Sequence, residues 1–374
     1  MAKLSMQQPQ EPRLVFTMKA AGLFHVLFAL SFLVILIMAA TQAQAETKAQ
    51  TDTKVATPDD TQPEACGGIN LLEKLAHEDP KALGQIRLAA SRIPNGDALL
   101  WRIEKSGYRD SWIYGTMHVS DPRVVAMSKK ARNRYEMADT IVVESTEITD
   151  MAKAQASLLA NPALSMLPVG STLQTLLKPA EFELVEAVLK ERGIPIALVS
   201  RLQPWMIYSM IAIPQCELAR MKDNPAFLDK KLADDALAQG KSLKGLETVA
   251  EQIGILTDLP IELQVRLLTD TVALGSTLDD VMKTMTELYI QGQTGMIMPM
   301  IEWSSAQTGA DDNDAYAEFE KQMVHSRNHT MAQRLLPMLE DGNAFVAVGA
   351  LHLPGNEGLV QLLRDSDYTV TAMH

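Results

Sequence analysis

A four-residue pattern, Gly-x-x-His, occurs near both ends of the chain, and each copy follows an apolar run. The copies are Gly115-Thr116-Met117-His118 and Gly349-Ala350-Leu351-His352, and their histidines lie 234 positions apart in a chain with seven histidines. The preceding runs, 112–114 and 344–348, are typical of buried strands, and a glycine permits a turn or a close backbone approach. We therefore expect both histidines at the carboxyl ends of strands, where open α/β sheets usually place their chemistry.

The repetition of the pattern favours a metal site. A single Gly-x-x-His recurs freely in sequences, and one histidine after a strand can simply cap a turn or form a hydrogen bond in the core. Neutral imidazole is a common ligand of transition metals, and two imidazoles that the fold brings together need only a carboxylate to complete a site. The sequence thus predicts His118 and His352 as ligands of a divalent ion.

Glu144 is the candidate carboxylate. It ends the β-rich run 139–144, so we expect it at the carboxyl edge of a strand. An exposed, solvated strand-end glutamate is the simpler alternative, and Glu147 lies close enough in the chain to replace it. We predict that Glu144 completes the metal site or acts as a base. The metal is left open among zinc, manganese, cobalt and iron, because all four suit histidine with a carboxylate.

Further short motifs accompany the two histidines in a fixed order along the chain. They are the hairpin 99–104 to 111–118, Val142-Val143-Glu144-Ser145, Gly245-Leu246-Glu247-Thr248, Arg327-Asn328 and the segment 349–355. From about Leu71 to the C-terminus this series resembles the TraB/GumN family, and the Tiki metalloproteases belong to the same group. An ordered series of separated motifs is far more specific than any one of them.

The resemblance implies an α/β fold related to the erythromycin esterase and ChaN-like proteins, with a metal-dependent hydrolase site. Glu247 would enter the cleft as a base or ligand, or else be a first-turn glutamate favoured by the helix dipole. Arg327 would clamp a carboxylate or steady an oxyanion, or else form a surface ion pair. Gly115, Gly349 and Asn328 are assigned to substrate binding.

The chain departs from the family pattern ahead of the Gly-Leu-Glu-Thr motif. Relatives often have a glycine before the aliphatic-Asp pair that opens a helix there, whereas this chain has Phe227 before Leu228-Asp229. Asp229 is therefore not included in the predicted site, and the assignment of the histidines is unaffected.

The amino terminus predicts export. Three basic residues precede an apolar stretch, 20–40, and Ala43-Gln44-Ala45 offers the small residues that signal peptidase prefers. We predict a signal peptide over 1–45 and a periplasmic or secreted protein. The alternative is an uncleaved membrane anchor, since about 20 apolar residues span a bilayer. The polar segment 46–65 is expected to be a disordered linker.

Charge and cysteine content agree with this compartment. Residues 1–45 contain three basic residues and one acidic residue, so the remainder has 31 Lys plus Arg against 45 Asp plus Glu, a net charge of −14. Such a surface disfavours nucleic acid and anionic membranes, so we expect a peptide or small-molecule partner, and membrane contact only through an uncleaved signal segment. Cys66 and Cys216 predict a disulfide in an oxidising compartment, with two buried thiols as the alternative.

Hydrophobic periodicity predicts a mixed α/β (α+β) fold over 66–374. Strand, helix and strand follow one another around each Gly-x-x-His, with one helix capped near Ser120 or Asp121 before the Glu144 strand. Helical patterns dominate between about 150 and 340. We therefore predict a central mixed sheet built from two related lobes, with a large helical insertion and both histidines facing one cleft.

These features predict an exported metal-dependent hydrolase that acts on a peptide or a related amide or ester. His118 and His352 would hold the ion, and Glu144 would complete the site or act as base, so that the ion lowers the pKa of a bound water. A non-catalytic peptide-binding, haem-binding or regulatory protein on the same fold is the alternative, although kinship of fold is a weak guide to function.

Overall fold

The computed structural model describes residues 66–374 except 151, 153–155, 157–158, 224–226 and 308–320. The predicted signal peptide and linker, 1–45 and 46–65, lie outside these residues. One mixed sheet organises the described part, in the order β4-β3-β5-β2-β1-β6. Its strands are β1 (Leu100–Glu104), β2 (Ser111–Thr116), β3 (Thr140–Val143), β4 (Ser242–Gly245), β5 (Ala344–Gly349) and β6 (Thr369–Ala372).

Four neighbouring strands of the sheet run parallel. β2 pairs with β5, β5 with β3, and β3 with β4, all in parallel register, whereas β1 is antiparallel to both β2 and β6. Every residue of β2, β3 and β5 is buried, as their apolar sequences predict for strands covered on both faces. The carboxyl ends of the parallel strands therefore meet at one edge of the sheet.

Sixteen α-helices lie within the described residues. They are α1 (Leu71–Glu78), α2 (Pro80–Ala90), α3 (Pro122–Val125), α4 (Lys129–Met137), α5 (Leu173–Leu176), α6 (Pro179–Glu191), α7 (Ile196–Val199), α8 (Pro204–Ala212), α9 (Gln215–Asp223), α10 (Leu228–Ala238), α11 (Val249–Thr257), α12 (Ile261–Leu274), α13 (Thr277–Ile290), α14 (Ile297–Ala306), α15 (Arg327–Glu340) and α16 (Leu359–Asp365). None of these described helices has the length and apolar character needed to cross a membrane.

The sheet separates two hydrophobic clusters. Alternate residues of one strand point to opposite faces, so Ile141 and Val143 of β3 join the larger cluster while Val142 joins the smaller one. The larger cluster also contains the buried side chains of the central helices, such as Trp205 of α8. α15 and α16 supply much of the smaller cluster. The α/β class predicted from periodicity is confirmed, whereas the division into domains and the relation between the two lobes stay predictions.

Two details differ from the predicted helices. The helical pattern after His118 forms two short helices, α3 and α4, because Ala126 is extended and Ser128 starts the second helix by accepting a hydrogen bond from the Ala131 backbone N–H. The last part of the helical region predicted up to about 340 is described from Lys321, where a π-helical turn, Lys321–Ser326, leads into α15.

The predicted disulfide is confirmed. Cys66 and Cys216 are bonded, with their Cα atoms 5.3 Å apart and 150 positions between them in the chain. The bond joins the segment before α1 to the first turn of α9. It is consistent with an extracellular or periplasmic location.

Candidate functional site

The two Gly-x-x-His motifs lie side by side in the sheet. β2 and β5 are adjacent, and their register places Gly115 beside Val348 and Thr116 beside Gly349. A Cβ atom on Gly115 would lie 2.9 Å from Cα of Ala350 in the second motif, so only glycine permits this contact. Because the motifs are in contact, His118 and His352 emerge from neighbouring strand ends, as the sequence predicts.

Glu144 follows β3 at the same edge of the sheet, and its side chain is only 8% exposed. The Gly349 backbone N–H donates to Oε1 at 2.7 Å, which ties Glu144 to the second motif. Oε2 accepts from Arg327 Nη2 at 2.7 Å and from Gln252 Nε2 at 3.1 Å. Both carboxylate oxygens of Glu144 therefore have strong donors from the protein itself.

Arg327, the first residue of α15, is buried between two glutamates. Its Nε and Nη2 donate to the Glu247 carboxylate at 2.7–3.1 Å, while Nη2 also reaches Glu144. Glu247 stands just before Thr248, which starts α11 with a capping box formed with Glu251. One cation thus holds together two carboxylates that belong to the ends of β3 and β4.

The charges of this cluster fix the ionisation of Glu144. Burial would raise the pKa of the carboxyl group, but the positive charge of Arg327, the two nearby histidines and the Gly349 N–H outweigh it and lower the pKa to about 2. Burial alone would lower the pKa of Arg327, whereas Glu247 and Glu144 raise it above its usual range. Both side chains are consequently charged at neutral pH.

Asn328 orients the imidazole of His352. The Asn328 amide donates through Nδ2 to the Glu357 carbonyl at 2.7 Å, so its Oδ1 is the atom that faces His352 Nδ1 at 2.6 Å. An amide oxygen only accepts, and Nδ1 must therefore carry a proton. In the neutral ring the lone pair is then on Nε2, which lies 3.8 Å from Glu144 Oε1.

His118 has an acidic neighbour that the sequence analysis did not include. Asp229, in the first turn of α10, places Oδ2 3.3 Å from His118 Nε2, and its Oδ1 accepts a hydrogen bond from Thr116 Oγ1 at 2.7 Å. Phe227 meets the His118 ring edge to face, with the ring centroids 5.1 Å apart. The residue that replaces the family glycine thus packs against a predicted site histidine.

A cavity opens beside these side chains. It encloses about 310 Å³, including the part open to solvent, and its lining includes His118, Glu144, Asp229 and Gln252. His352 does not line it, although its imidazole approaches Glu144. The two histidines therefore share Glu144 as a neighbour but differ in their access to the cavity.

A three-ligand metal site is not preformed in the part of the chain that the structure describes, where no group of three or more His, Cys, Asp or Glu side chains is arranged to hold an ion. The assignment of His118, His352 and Glu144 as ligands thus stays a prediction. One observation does fit a cation: Asp229 Oδ2 is buried, borders the cavity and has no hydrogen-bond partner among the described residues. A divalent ion is a natural partner for such an oxygen.

The other predicted site residues also lie at this cluster, where their described contacts are with other protein groups. The Gly115 carbonyl accepts from Tyr289 Oη at 3.0 Å, and Gly349 and Asn328 bind Glu144 and His352 as described. Glu147 does not replace Glu144, because its carboxylate accepts from the Val249 N–H at 2.7 Å at the start of α11. Substrate contacts of Gly115, Gly349 and Asn328 stay predictions.

Sequence reasoning missed Asp229 and Gln252. Gln252 donates to both Glu144 and Glu247, at 3.1 and 3.3 Å. A glutamine one turn into a helix has no distinctive sequence signal. For Asp229 there was a signal, the aliphatic-Asp pair of the family pattern, but Phe227 departs from the glycine that often precedes this pair in relatives, and for that reason Asp229 is absent from the predicted site.

The fold and the site define an α/β protein with a buried cluster of ionisable side chains at the carboxyl edge of its sheet. A profile of the TraB/PrgY/gumN family matches residues 99–372, and the chain belongs to this family. No solved structure matches the chain with significance.

Curated relatives are distant. The uncharacterized protein YbaP of Shigella flexneri is 24% identical over 262 residues, which cover 69% of this chain and 89% of YbaP. Metalloprotease TIKI1 of Danio rerio is 23% identical over 329 residues, or 75% of this chain and 64% of TIKI1. The Metalloprotease TIKI homolog of Nematostella vectensis is 22% identical, covering 74% of this chain and 67% of that protein.

Proposed function

We propose that the protein is an exported hydrolase that cleaves a peptide or a related amide or ester in the cavity beside Glu144. The observation that carries the proposal is the convergence of His118, Glu144, Glu247, Arg327 and His352, drawn from five separate motifs, around one buried cluster beside a cavity. Buried ionisable groups with specific charge partners are typical of active sites. The similarity to two metalloproteases supports a hydrolytic reaction.

In this proposal His352, which approaches Glu144 but does not line the cavity, accepts the proton of the attacking water through one intervening water. Asn328 holds its Nδ1–H, so the lone pair of the neutral ring is on Nε2 and can accept a proton, and the negative charge of Glu144 at 3.8 Å stabilises the imidazolium that forms. In the Ser-His-Asp triad, too, one ring nitrogen of the histidine accepts the proton while a hydrogen bond on the other nitrogen orients the ring.

Glu144 and Arg327 have electrostatic and positioning roles in the proposal. A carboxyl group with a pKa of about 2 is ionised throughout the neutral range, so Glu144 serves as a fixed negative charge and a poor proton donor. Arg327 directs its donors at Glu144 and Glu247, which keeps both carboxylates in place. It is thus better suited to hold the cluster together than to clamp a substrate.

The predicted metal would act from the His118 side of the cavity, where Asp229 supplies an oxygen that has no hydrogen-bond partner within the described part of the chain. When bound, a divalent ion lowers the pKa of water and polarises a carbonyl group. The chain's own part is to present His118 there and to keep His352 ready to take a proton.

The test is a cleavage assay with a mixed peptide library. Purified protein is incubated with the library and Mn²⁺ or Zn²⁺, with EDTA in parallel, and new peptide termini are identified by mass spectrometry. We expect cleavage by the wild type and at least a 100-fold loss in His352→Ala, because a positioned base contributes about 10²–10⁴-fold. Glu144→Gln should also lose activity, because it removes the negative charge that stabilises the imidazolium.

His77→Ala is the matched control, since His77 is an exposed histidine in the last turn of α1. It should cleave like the wild type. Absence of new termini under every metal condition, or equal cleavage by His352→Ala and the wild type, would reject the proposal. Binding of peptides without cleavage, or a haem absorbance band in the purified protein, would favour the non-catalytic alternative.

A further inference from the structure

The geometry of Asp229 points to a ligand that the sequence analysis left out. Asp229 is 3% exposed, and Thr116 Oγ1 holds its Oδ1 at 2.7 Å. Its other oxygen, Oδ2, lies 3.3 Å from His118 Nε2, yet it has no hydrogen-bond partner among the described residues. A buried carboxylate oxygen without a donor is costly, and the first turn of α10 offsets that cost only in part.

The contact between Oδ2 and Nε2 has the spacing of two ligands of one ion. Donors that each stand about 2.1 Å from a common divalent ion are separated by roughly 3.0 Å at a right angle and about 3.4 Å at the tetrahedral angle. The observed separation of 3.3 Å falls in this range. Because Oδ2 has no hydrogen-bond partner among the described residues, a cation shared with His118 would supply the partner that this oxygen lacks.

The surroundings of the pair match this interpretation. His118 and Asp229 both line the cavity, whose volume of about 310 Å³ includes the part open to solvent. The hydrogen bond from Thr116 is the kind of support that a coordinating carboxylate usually receives from its neighbours. Glu144 also borders the cavity, but Arg327, Gln252 and the Gly349 N–H already engage its two oxygens.

We propose that His118 Nε2 and Asp229 Oδ2 are the protein ligands of a divalent cation, and that His352 lies outside its coordination sphere. Water in the cavity or a substrate oxygen supplies the remaining ligands. One imidazole and one carboxylate suit Mn²⁺, Zn²⁺, Co²⁺ and Fe²⁺. The proposed cation site lies in the same cavity as the proposed hydrolase site, but its test does not depend on catalytic activity.

Metal binding by variants tests the assignment directly. Mn²⁺ affinity is measured by electron paramagnetic resonance, where free Mn²⁺ gives a signal that is lost on binding. We expect His118→Ala and Asp229→Asn to bind Mn²⁺ at least tenfold more weakly than the wild type. The affinity of Thr116→Val should also fall by about tenfold or more, because loss of a supporting group costs about 10–100-fold in metal affinity. His352→Ala and the control His77→Ala should bind within twofold of the wild type.

A measurement on the wild type keeps the test independent of how the variants fold. Zn²⁺ is added to protein whose histidines are labelled with ¹⁵N. Coordination should shift one Nε2 resonance, which is assigned to His118 by its absence from the spectrum of His118→Ala. The ¹⁵N chemical shifts of His352 should stay unchanged. A shift at His352 of equal size would overturn the proposal. So would wild-type affinity in Asp229→Asn, or failure of the wild type to bind Mn²⁺ and Zn²⁺.

The hydrolase proposal and the cation-site proposal can be rejected separately. Metal binding by His118 and Asp229 without any peptide cleavage would reject the hydrolase and leave the cation site standing. Cleavage that survives EDTA, in a protein that binds no metal, would reject the cation site and leave the hydrolase standing. If His118 and Asp229 form only an ion pair, the ¹⁵N resonances of His118 should change with pH but not on addition of Zn²⁺.

Discussion

Thr116 and Gly349 face each other in the parallel ladder between β2 and β5, so the two Gly-x-x-His motifs are registered residue by residue. Register decides which face every side chain of a strand takes, and a slip of one position would turn each motif over. Thr116 is also the residue that holds Asp229, and Gly349 the one that binds Glu144. The pairing of these two strands therefore positions both halves of the candidate site.

Gly115→Ala should destabilise the protein by about 1–3 kcal/mol, the range for forcing an extra carbon into a packed core. The new Cβ would stand 2.9 Å from Cα of Ala350, which is backbone and cannot rotate away. The measurement is the urea dependence of unfolding. Gly84→Ala in the middle of α2 is the control: no atom lies within 4 Å of its new Cβ, and we expect no loss and a gain of up to about 1 kcal/mol. Equal midpoints for the two variants would contradict this account.

Arg327→Met should lower the free energy of unfolding by about 3–5 kcal/mol, because it leaves Glu144 and Glu247 buried without their common cation. Arg327→Lys keeps the charge but cannot span both carboxylates with one planar group, and its loss should be intermediate. As a control, Arg109→Met breaks the exposed pair with Asp139, and its loss should be much smaller because solvent screens such a pair. A loss in Arg327→Met as small as that of the control would show that the cluster contributes nothing.

Glu144 should make the stability of the protein depend on acid. Its pKa is about 2 in the folded protein against an ordinary value of 4.5, so on acidification the unfolded chain takes up the proton first. The stabilisation is present in full above about pH 5 and is lost progressively as the pH falls towards 2. Urea midpoints of the wild type and Glu144→Gln should therefore converge between pH 5 and pH 2. A constant difference over that range would contradict the lowered pKa.

Much of the sheet could be predicted from the sequence. The runs before Gly115 and Gly349 are short, apolar and bounded by turn residues, and their strands form where the pattern places them. The proximity of Glu144, Glu247 and Arg327 also follows from the motifs, because each of these residues ends a strand or begins a helix at the same edge of the sheet. Local patterning is sufficient for elements of this kind.

The contacts between the histidines and their partners could not be predicted from the sequence. Asp229 reaches His118 because α10 packs against β3 and β4 and its first turn meets the end of β2, a tertiary contact between segments more than 100 positions apart. Periodicity carries no information on which helix covers which strand end. The roles of the oxygens of Glu144 depend on hydrogen bonds from Gln252 and the Gly349 backbone, which no spacing rule predicts. For this reason the sequence favours a His118, His352 and Glu144 metal site, while the geometry favours His118 with Asp229.

The disulfide should stabilise the described part of the chain substantially. Cys66–Cys216 closes a loop of 150 positions, and loops of that length are worth up to about 5 kcal/mol through the restricted unfolded chain. We expect the double variant Cys66→Ala/Cys216→Ala to lose about 2–5 kcal/mol in urea unfolding. Reductant should lower the midpoint of the wild type towards that of the double variant and leave the double variant unchanged. An oxidised wild type no more stable than the double variant would contradict a structural role.

Asn328 should control the basicity of His352. Asn328→Leu removes the acceptor for Nδ1–H, so the ring loses its fixed tautomer, and we expect peptide cleavage to fall at least tenfold with little change in KM. Asn328→Asp keeps an acceptor and adds a negative charge, which favours imidazolium and raises the pKa of His352.

Because the base must be unprotonated to work, the acidic limb of the pH–rate profile should move to higher pH in Asn328→Asp. The cleavage rate at high pH should then recover relative to Asn328→Leu. A merely structural role for Asn328 would lower the rate of both variants without moving the profile. Profiles of Asn328→Asp and the wild type that superimpose would therefore remove His352 from the role of base, whatever the loss of rate in Asn328→Leu.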